Sequence, residues 1–103
     1  MAYKKFVGLI GCGYWGKNLA RDLNSFGVLS RVSDTSSAAK SVVRKISKNI
    51  IFSTDYKKVL KDENITSVVI ATPAKTHYKL VREALIAKKN VFVEKPLCLK
   101  YGD

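Results

Sequence analysis

The hydrophobic positions of the chain alternate between short apolar runs and stretches with a helical period. The first run, residues 6–10, ends in glycines. Apolar residues then recur at the spacing of one helix face, at Leu19, Ala20, Leu23 and Phe26. Gly27 stands where such a helix is expected to end, and residues 28–32 form a second β-prone run. The pattern therefore predicts a strand, a helix and a second strand.

The same alternation continues to residue 93. Further strands are predicted over residues 49–52, 65–71 and 90–93, and helices over residues 36–46, after Asp55 and after Thr76, both of which can act as caps. Strands that alternate with helices at this spacing are typical of a parallel sheet with helices on both faces. We therefore predict an α/β fold: a three-layer, doubly wound parallel sheet of about five strands in the order 3-2-1-4-5.

Length and composition limit the organisation of this chain. Its 103 residues leave room for one domain, and 47% hydrophobic residues are enough for a packed core. No apolar run approaches the ~18 residues of a membrane span. The two cysteines, Cys12 and Cys98, lack the spacing of a zinc site or a redox pair. We expect a cytoplasmic protein with no metal site and no membrane partner.

The net charge of +11 makes an anionic partner the first hypothesis to test. The basic residues are spread over the first, middle and last thirds of the chain, so no tail or arm carries the excess. Diffuse charge of this kind is weak support for nucleic-acid binding, which we do not expect.

The glycine motif G-x-G-x-x-G lies between the first predicted strand and the first predicted helix. In such a motif Gly11 permits a tight turn, Gly13 lets the backbone approach a pyrophosphate, and Gly16 allows close helix packing. The helix N-terminus then attracts the phosphates through its N–H groups and its dipole. The alternative is a glycine-rich structural turn without a ligand.

Asp34 supplies the next element of a dinucleotide site. It ends the second predicted strand, where a carboxylate can accept hydrogen bonds from the hydroxyls of an adenosine ribose. A 2′-phosphate would be repelled by Asp34, and Thr35, Ser36 and Ser37 provide no arginine to receive it, so NAD is preferred over NADP. The alternative is that Asp34 only caps the following helix.

Other side chains of the glycine loop are less informative. Tyr14 and Trp15 could line the cofactor cleft or pack against neighbouring loops. Cys12 has no adjacent base in the sequence, which favours a small packing residue over a nucleophile. We include all three among the residues expected to border the cofactor.

A second group of candidates follows the fourth and fifth predicted strands. Carboxyl ends of parallel strands share one edge of a sheet, so these residues are expected to converge on the glycine loop: Thr72, Pro73, His77, Glu94, Lys95 and Pro96. His77, the single histidine, is more often a structural residue at such a position than a catalytic one, and we include it among the residues expected to bind the cofactor. Lys95 could bind a substrate hydroxyl and stabilise charge, or could be a solvent-exposed lysine.

These motifs resemble the glucose-fructose oxidoreductase, inositol dehydrogenase and MocA family of oxidoreductases. The resemblance spans nearly the whole chain and depends above all on the Glu-Lys-Pro sequence at residues 94–96. It implies a Rossmann domain that binds a nicotinamide dinucleotide, in enzymes that oxidise or reduce a ring hydroxyl of sugars, cyclitols or sugar nucleotides. It also implies that Lys95 lies beside the nicotinamide and the substrate, with Thr72, Pro73 and Glu94 bordering the cofactor.

The chain departs from the family pattern in three ways. The family's substrate domain has no counterpart, and the last helix and strand of its Rossmann domain are missing after residue 103. Lys88 and Asn90 replace a glycine and a histidine before the fifth strand. We therefore expect residues 1–103 to form one incomplete dinucleotide-binding domain without turnover of its own. Its open fifth strand favours pairing with a second chain. A non-catalytic module that binds NAD(H) or nucleic acid is the alternative.

Overall fold

A parallel five-stranded sheet forms the centre of the molecule. The computed structural model describes residues 5–93. The strands are β1 (Val7–Ile10), β2 (Leu29–Ser33), β3 (Ile51–Ser53), β4 (Ser67–Ile70) and β5 (Asn90–Val93). The helices are α1 (Tyr14–Ser25), α2 (Ala39–Ile46), α3 (Lys57–Lys61) and α4 (His77–Ile86), with a 3-10 turn over Ala74–Thr76. The strands pair in the order β3-β2-β1-β4-β5, which confirms the predicted doubly wound topology.

Two hydrophobic cores separate the sheet from its helices. One core joins α1 and α2 to one face of the sheet and is centred on Leu9, Ala20, Val32 and Val43. The other joins α3 and α4 to the opposite face, around Ile10, Val59, Val68, Ile70 and Leu80. Neighbouring residues of β1 thus point into different cores, because side chains alternate across a strand. The three predicted layers are confirmed, and the sheet is covered on both faces.

The helix starts differ in part from the sequence prediction, because some of the residues before the helices form turns. Helix α2 begins at Ala39 rather than at residue 36, since the carbonyl of Ser36 accepts the N–H of Ala39 in a preceding turn. The carboxylate of Asp55 accepts the N–H of Lys57, the first residue of α3, as predicted. Thr76 precedes α4, but its hydroxyl donates to the Pro73 carbonyl instead of capping the helix. The prediction that Thr76 caps α4 is wrong in this respect.

Backbone conformation marks the ends of two helices. Gly27, predicted to stop the first helix, has a φ of 77° directly after the C-cap of α1. Lys88, which follows α4, has a φ of 64°, a left-handed conformation that is costly for a residue with a Cβ. Lys88 is the residue that replaces a glycine of the family pattern, as noted in the sequence analysis. None of the helices within residues 5–93 has the length and hydropathy needed to cross a membrane.

Candidate functional site

A cleft of about 170 Å³ opens where the carboxyl ends of β1, β2 and β4 meet. It lies at the point where the connections from β1 and β4 depart to opposite faces of the sheet, which is where open α/β sheets bind ligands. The residues that line it come from the ends of β1 and β2 and from the loops after β1, β2, β3 and β4: Ile10, Gly11, Gly13, Ser33, Asp34, Thr35, Tyr56, Ala71, Thr72 and Pro73. The structure therefore brings the glycine loop, Asp34 and the Thr72–Pro73 segment together, as predicted.

Two glycines of the loop are required by the fold itself. Gly11 has a φ of 99°, and its N–H donates to the Ser33 carbonyl at 2.7 Å. A Cβ at Gly11 would lie 2.8 Å from the backbone of Ala71, in the adjacent strand end. A Cβ on Gly16 would clash with the Gly11 carbonyl oxygen. The first and third glycines thus let β1, α1 and the end of β4 approach one another closely.

Gly13 differs from both because the space beside it is empty. A Cβ placed there would meet no protein atom within 4 Å, and the residue is exposed at the cleft. Gly13 is the N-cap of the 12-residue helix α1, and within the described residues no side-chain hydrogen bond caps that end. The uncapped N–H groups and the helix dipole make this opening suited to an anion. A pyrophosphate therefore fits the residues present.

Asp34 connects two loops at the edge of the cleft. One carboxylate oxygen accepts the Cys12 N–H at 2.7 Å, and the other accepts the Ser36 N–H at 2.8 Å. The side chain is half-buried and lines the cleft. It does not cap α2, which starts at Ala39. Its carboxylate is thus oriented by backbone groups and retains acceptor capacity toward the cleft.

Cys12 has its side chain packed in the core and does not line the cleft. Its side chain is 5% exposed and belongs to the core between the sheet and helices α1 and α2. Burial, and next the negative charge of Asp34, raise the pKa of the Cys12 thiol, while Lys17 opposes the shift. The thiol is therefore protonated at neutral pH, which supports the packing interpretation over a nucleophile. The Cys12 backbone N–H, rather than the thiol, contributes to the site by holding Asp34.

The opposite wall of the cleft is formed by Thr72 and Pro73. The hydroxyl oxygens of Thr72 and Thr76 are hydrogen-bonded at 2.6 Å, and the Thr72 carbonyl lies 2.7 Å from Nε2 of His77. His77 is 5% exposed and does not line the cleft. Since a carbonyl only accepts, Nε2 donates this hydrogen bond. The burial of His77 does not support the predicted contact with the cofactor, and supports a role in holding Thr72 from behind.

Some predicted site residues are not located by the structure. Glu94, Lys95 and Pro96 lie outside the described residues, as does Cys98, which was not predicted to belong to the site. Tyr14 and Trp15 begin α1, and the roles of their side chains remain predictions.

Tyr56 is a cleft residue that sequence reasoning missed. It precedes α3, lines the cleft, and donates its hydroxyl to a carboxylate oxygen of Glu83 on α4 at 2.7 Å. This hydrogen bond, with burial and nearby carboxylates as smaller causes, raises the pKa of the Tyr56 hydroxyl to about 12. The available signal was its place after β3, because the carboxyl end of that strand also lies at the ligand edge of the sheet.

Comparison with known proteins agrees with this geometry. Residues 5–103 match the oxidoreductase family with an NAD-binding Rossmann fold that is named after Gfo, Idh and MocA. The chain belongs to the Gfo/Idh/MocA family. A myo-inositol 2-dehydrogenase of Thermotoga maritima is 30% identical over 102 residues, which cover 94% of this chain and 30% of the relative. An uncharacterised oxidoreductase of Streptococcus pneumoniae is 31% identical over 98 residues, 93% of this chain and 26% of the relative.

Solved structures of other proteins have the same fold as this Gfo/Idh/MocA protein. The structure of GenD2 from gentamicin A biosynthesis, in complex with NAD, superposes with a TM-score of 0.86 at 28% identity, covering 99% of this chain and 30% of that one. A scyllo-inositol dehydrogenase from Lactobacillus casei, solved with NAD(H) and scyllo-inositol, gives 0.79 at 24% identity, covering 95% and 30%. The chain thus spans less than a third of the length of the relatives described here.

Proposed function

We propose that this chain is the cofactor-binding part of an oxidoreductase that transfers hydride between NAD(P) and a ring hydroxyl carbon of a sugar, cyclitol or sugar nucleotide. One observation carries the proposal: the open, uncapped start of α1 at Gly13 lies beside a carboxylate, Asp34, that backbone N–H groups hold at the cleft. Relatives that include a myo-inositol 2-dehydrogenase support the substrate class.

Three parts of a dinucleotide, the pyrophosphate and the two riboses, would find matching groups in the cleft. The pyrophosphate would meet the N–H groups at the start of α1, where Gly13 leaves space for it. The adenosine ribose would donate its hydroxyls to Asp34. Thr72 and Pro73, on the opposite wall, would border the nicotinamide ribose. We propose the loop residues Gly11, Cys12, Tyr14, Trp15 and Gly16 as the frame of the same site.

We further propose that the site prefers NAD over NADP. The preference depends on Asp34, because a 2′-phosphate beside a carboxylate would bring like charges together in a half-buried position. Thr35 lines the cleft next to Asp34, and residues 35–37 supply no cation for a phosphate.

For the chemical step we propose Lys95 as the catalytic residue, with Glu94 beside it. The bound nicotinamide supplies the hydride chemistry, and the protein supplies orientation and charge. An ammonium at this position would bind the substrate hydroxyl and stabilise the negative charge that develops on its oxygen. Lys95 follows β5 by two residues, and β5 pairs with β4, whose end leads into Thr72.

We propose that residues 1–103 bind the cofactor but need further protein for turnover, since the relatives are more than three times as long. We also propose a cytoplasmic location, in agreement with the buried thiol of Cys12. Self-association through the β5 edge is a further proposal, because β5 is an edge strand of the sheet formed by residues 5–93 and exposes Phe92. Sedimentation that shows a monomer at all concentrations would contradict that association.

The test is a calorimetric titration of the chain with NAD, NADH and NADP at physiological salt. The wild type should bind NAD more tightly than NADP, Gly13→Val should lose both, and Asp34→Asn should weaken NAD about ten-fold while narrowing the difference from NADP. Asp22→Asn, which removes an exposed carboxylate on α1, is the matched control and should bind as the wild type does. Absence of dinucleotide binding by the wild type would overturn the proposal.

A second titration, with an oligonucleotide, distinguishes the proposed dinucleotide-binding function from the alternative of a non-catalytic module that binds nucleic acid. Binding that rests on phosphate contacts should fall steeply with salt and should not depend on Gly13 or Asp34. Oligonucleotide binding of this kind, without dinucleotide binding, would favour the alternative. Dinucleotide binding that requires Gly13 would reject it.

A further inference from the structure

Tyr56 is held from two sides at the edge of the cleft. Its ring packs against the core under α3 and α4, and its hydroxyl donates to Glu83, 27 residues further along the chain. The ring also lines the cleft together with Asp34 and Thr35. A half-buried ring fixed at its base and at its hydroxyl keeps one orientation relative to the cleft.

The position of Tyr56 along the sheet edge points to one half of the ligand. The Asp34 N–H donates to the Ser53 carbonyl at 3.2 Å, which joins the end of β2 to the end of β3, and Tyr56 follows three residues later. The Tyr56 backbone therefore enters the cleft from the β3 side, next to Asp34, whereas Pro73 comes from the opposite wall. A dinucleotide bound with its ribose at Asp34 brings its adenosine half to the side of Tyr56.

The chemistry of the ring suits that half of the ligand. Among the cleft-lining residues in the described part of the chain, Tyr56 is the one with an aromatic side chain. The cleft residues at the end of β2, Ser33, Asp34 and Thr35, offer backbone, small side chains and a carboxylate, none of which provides a flat apolar surface. A purine base binds such surfaces by stacking on the ring.

We propose that Tyr56 binds the adenosine half of the dinucleotide and that Glu83 acts as a positioning residue, through its hydrogen bond to the Tyr56 hydroxyl. This inference rests on the proposed function, because it requires that the cleft bind a dinucleotide. The raised pKa of the Tyr56 hydroxyl agrees with it, since the group remains a protonated donor to Glu83 throughout the neutral range.

The experiment compares the affinities of NAD and ADP-ribose, which lacks the nicotinamide, across a set of variants. Tyr56→Leu removes the ring and should weaken both ligands by the same factor, about ten-fold, as expected for the loss of one stacked base. Phe26→Leu, at an exposed aromatic residue after α1, is the matched control and should change neither affinity. Thermal unfolding of each variant shows whether the fold is retained.

Glu83 is tested by two milder changes that keep the ring. Tyr56→Phe and Glu83→Ala should each weaken NAD about three-fold, and the double variant should be no weaker than either single variant, because all three lose one hydrogen bond. Glu83→Ala should also lower the pKa of the Tyr56 hydroxyl from about 12 toward its ordinary value, read from phenolate absorbance against Tyr56→Phe. A destabilised protein alone would not produce this combination.

Each outcome decides between distinct conclusions. If the wild type binds neither NAD nor ADP-ribose, the proposed function fails. If the wild type binds and Tyr56→Leu binds equally well, the inference about Tyr56 fails while the proposed function stands. A loss confined to NAD would place Tyr56 at the nicotinamide half, which also overturns the inference. Should Tyr56→Leu not fold, unchanged affinity in both Tyr56→Phe and Glu83→Ala would contradict it.

Discussion

The two ends of the sheet each hold an aspartate, and the two carboxylates have different partners. At the carboxyl end, Asp34 accepts two backbone N–H groups and faces the cleft. At the other end, Asp62 accepts a hydrogen bond from the Arg31 guanidinium at 2.7 Å as part of a salt bridge, and a backbone N–H from Asn64. Close by, the buried ammonium of Lys89 donates to the carbonyls of Asp62 and Ile65.

The difference separates stability from binding. The negative charge of Asp62 is neutralised by Arg31, and this salt bridge joins β2 to the end of α3. The Asp62 carboxylate therefore has little hydrogen-bonding capacity left for a ligand. Backbone N–H groups orient Asp34 without supplying a full positive charge, which leaves its acceptor capacity for the hydroxyls of a ligand. We therefore expect changes at the amino end to alter folding, and changes at the cleft to alter binding.

The largest expected effect is an exception to this separation of stability from binding, because it concerns the stability of the fold but arises in the glycine loop at the cleft. Gly16→Ala should destabilise the fold by about 3 kcal/mol, because the new Cβ collides with the Gly11 carbonyl and backbone must move. Gly13→Ala adds the same methyl group to open space, so its free energy of unfolding should change by less than about 1 kcal/mol, although it should weaken NAD at least ten-fold. Urea unfolding and calorimetric titration measure the two quantities.

Gly13→Ala and Gly16→Ala are matched controls for each other, since both variants carry one extra methyl group in the same loop. Equal destabilisation by both, or unchanged NAD affinity in Gly13→Ala, would contradict the distinction between a ligand-facing glycine and a fold-maintaining glycine.

A smaller effect concerns the acid stability of the amino end. The hydrogen bond from Arg31, followed by that from Asn64, holds the pKa of the Asp62 carboxyl below its ordinary value. The ionised form therefore favours the folded state; its contribution is complete above the unfolded pKa of about 4 and is lost as the pH falls through the lowered folded pKa. Asp62→Asn should lower the free energy of unfolding by about 2 kcal/mol at pH 7 and by less at pH 2.

Urea unfolding at a series of pH values tests this. Asp55→Asn, at an exposed carboxylate that accepts the Lys57 N–H, is the control for the loss of one acidic side chain. A destabilisation by Asp62→Asn that is equal at pH 7 and pH 2, relative to this control, would show that the Arg31 pair does not supply the effect. NAD affinity at pH 7 should remain that of the wild type.

The smallest effect is a gain in stability at the turn before β5. Lys88 has a φ of 64°, so Lys88→Gly should raise the free energy of unfolding by about 1 kcal/mol by relieving the left-handed strain. Lys88→Ala removes the same charge but keeps a Cβ, and should not stabilise the protein. Thermal unfolding of both variants distinguishes backbone strain from charge, and an equal gain in both would favour charge.

The sequence by itself determined the strand and helix order and the location of the cleft. Short apolar runs such as that of β4 have few alternatives to burial inside a parallel sheet, and glycines at the end of β1 mark a turn that other residues resist. The position of Asp34 after β2 was enough to place it at the cleft, because the carboxyl ends of parallel strands share one edge. These features depend on residues near one another in the chain.

The tertiary structure alone decided which side chains meet across the layers. Tyr56 reaches Glu83, Arg31 reaches Asp62, and Lys89 reaches the Ile65 carbonyl over separations of 24 to 31 residues. His77 turned out to hold the Thr72 carbonyl from a buried position rather than face the cleft. Local patterns do not encode such contacts, because they depend on which helix packs on which face and on how far each side chain then reaches.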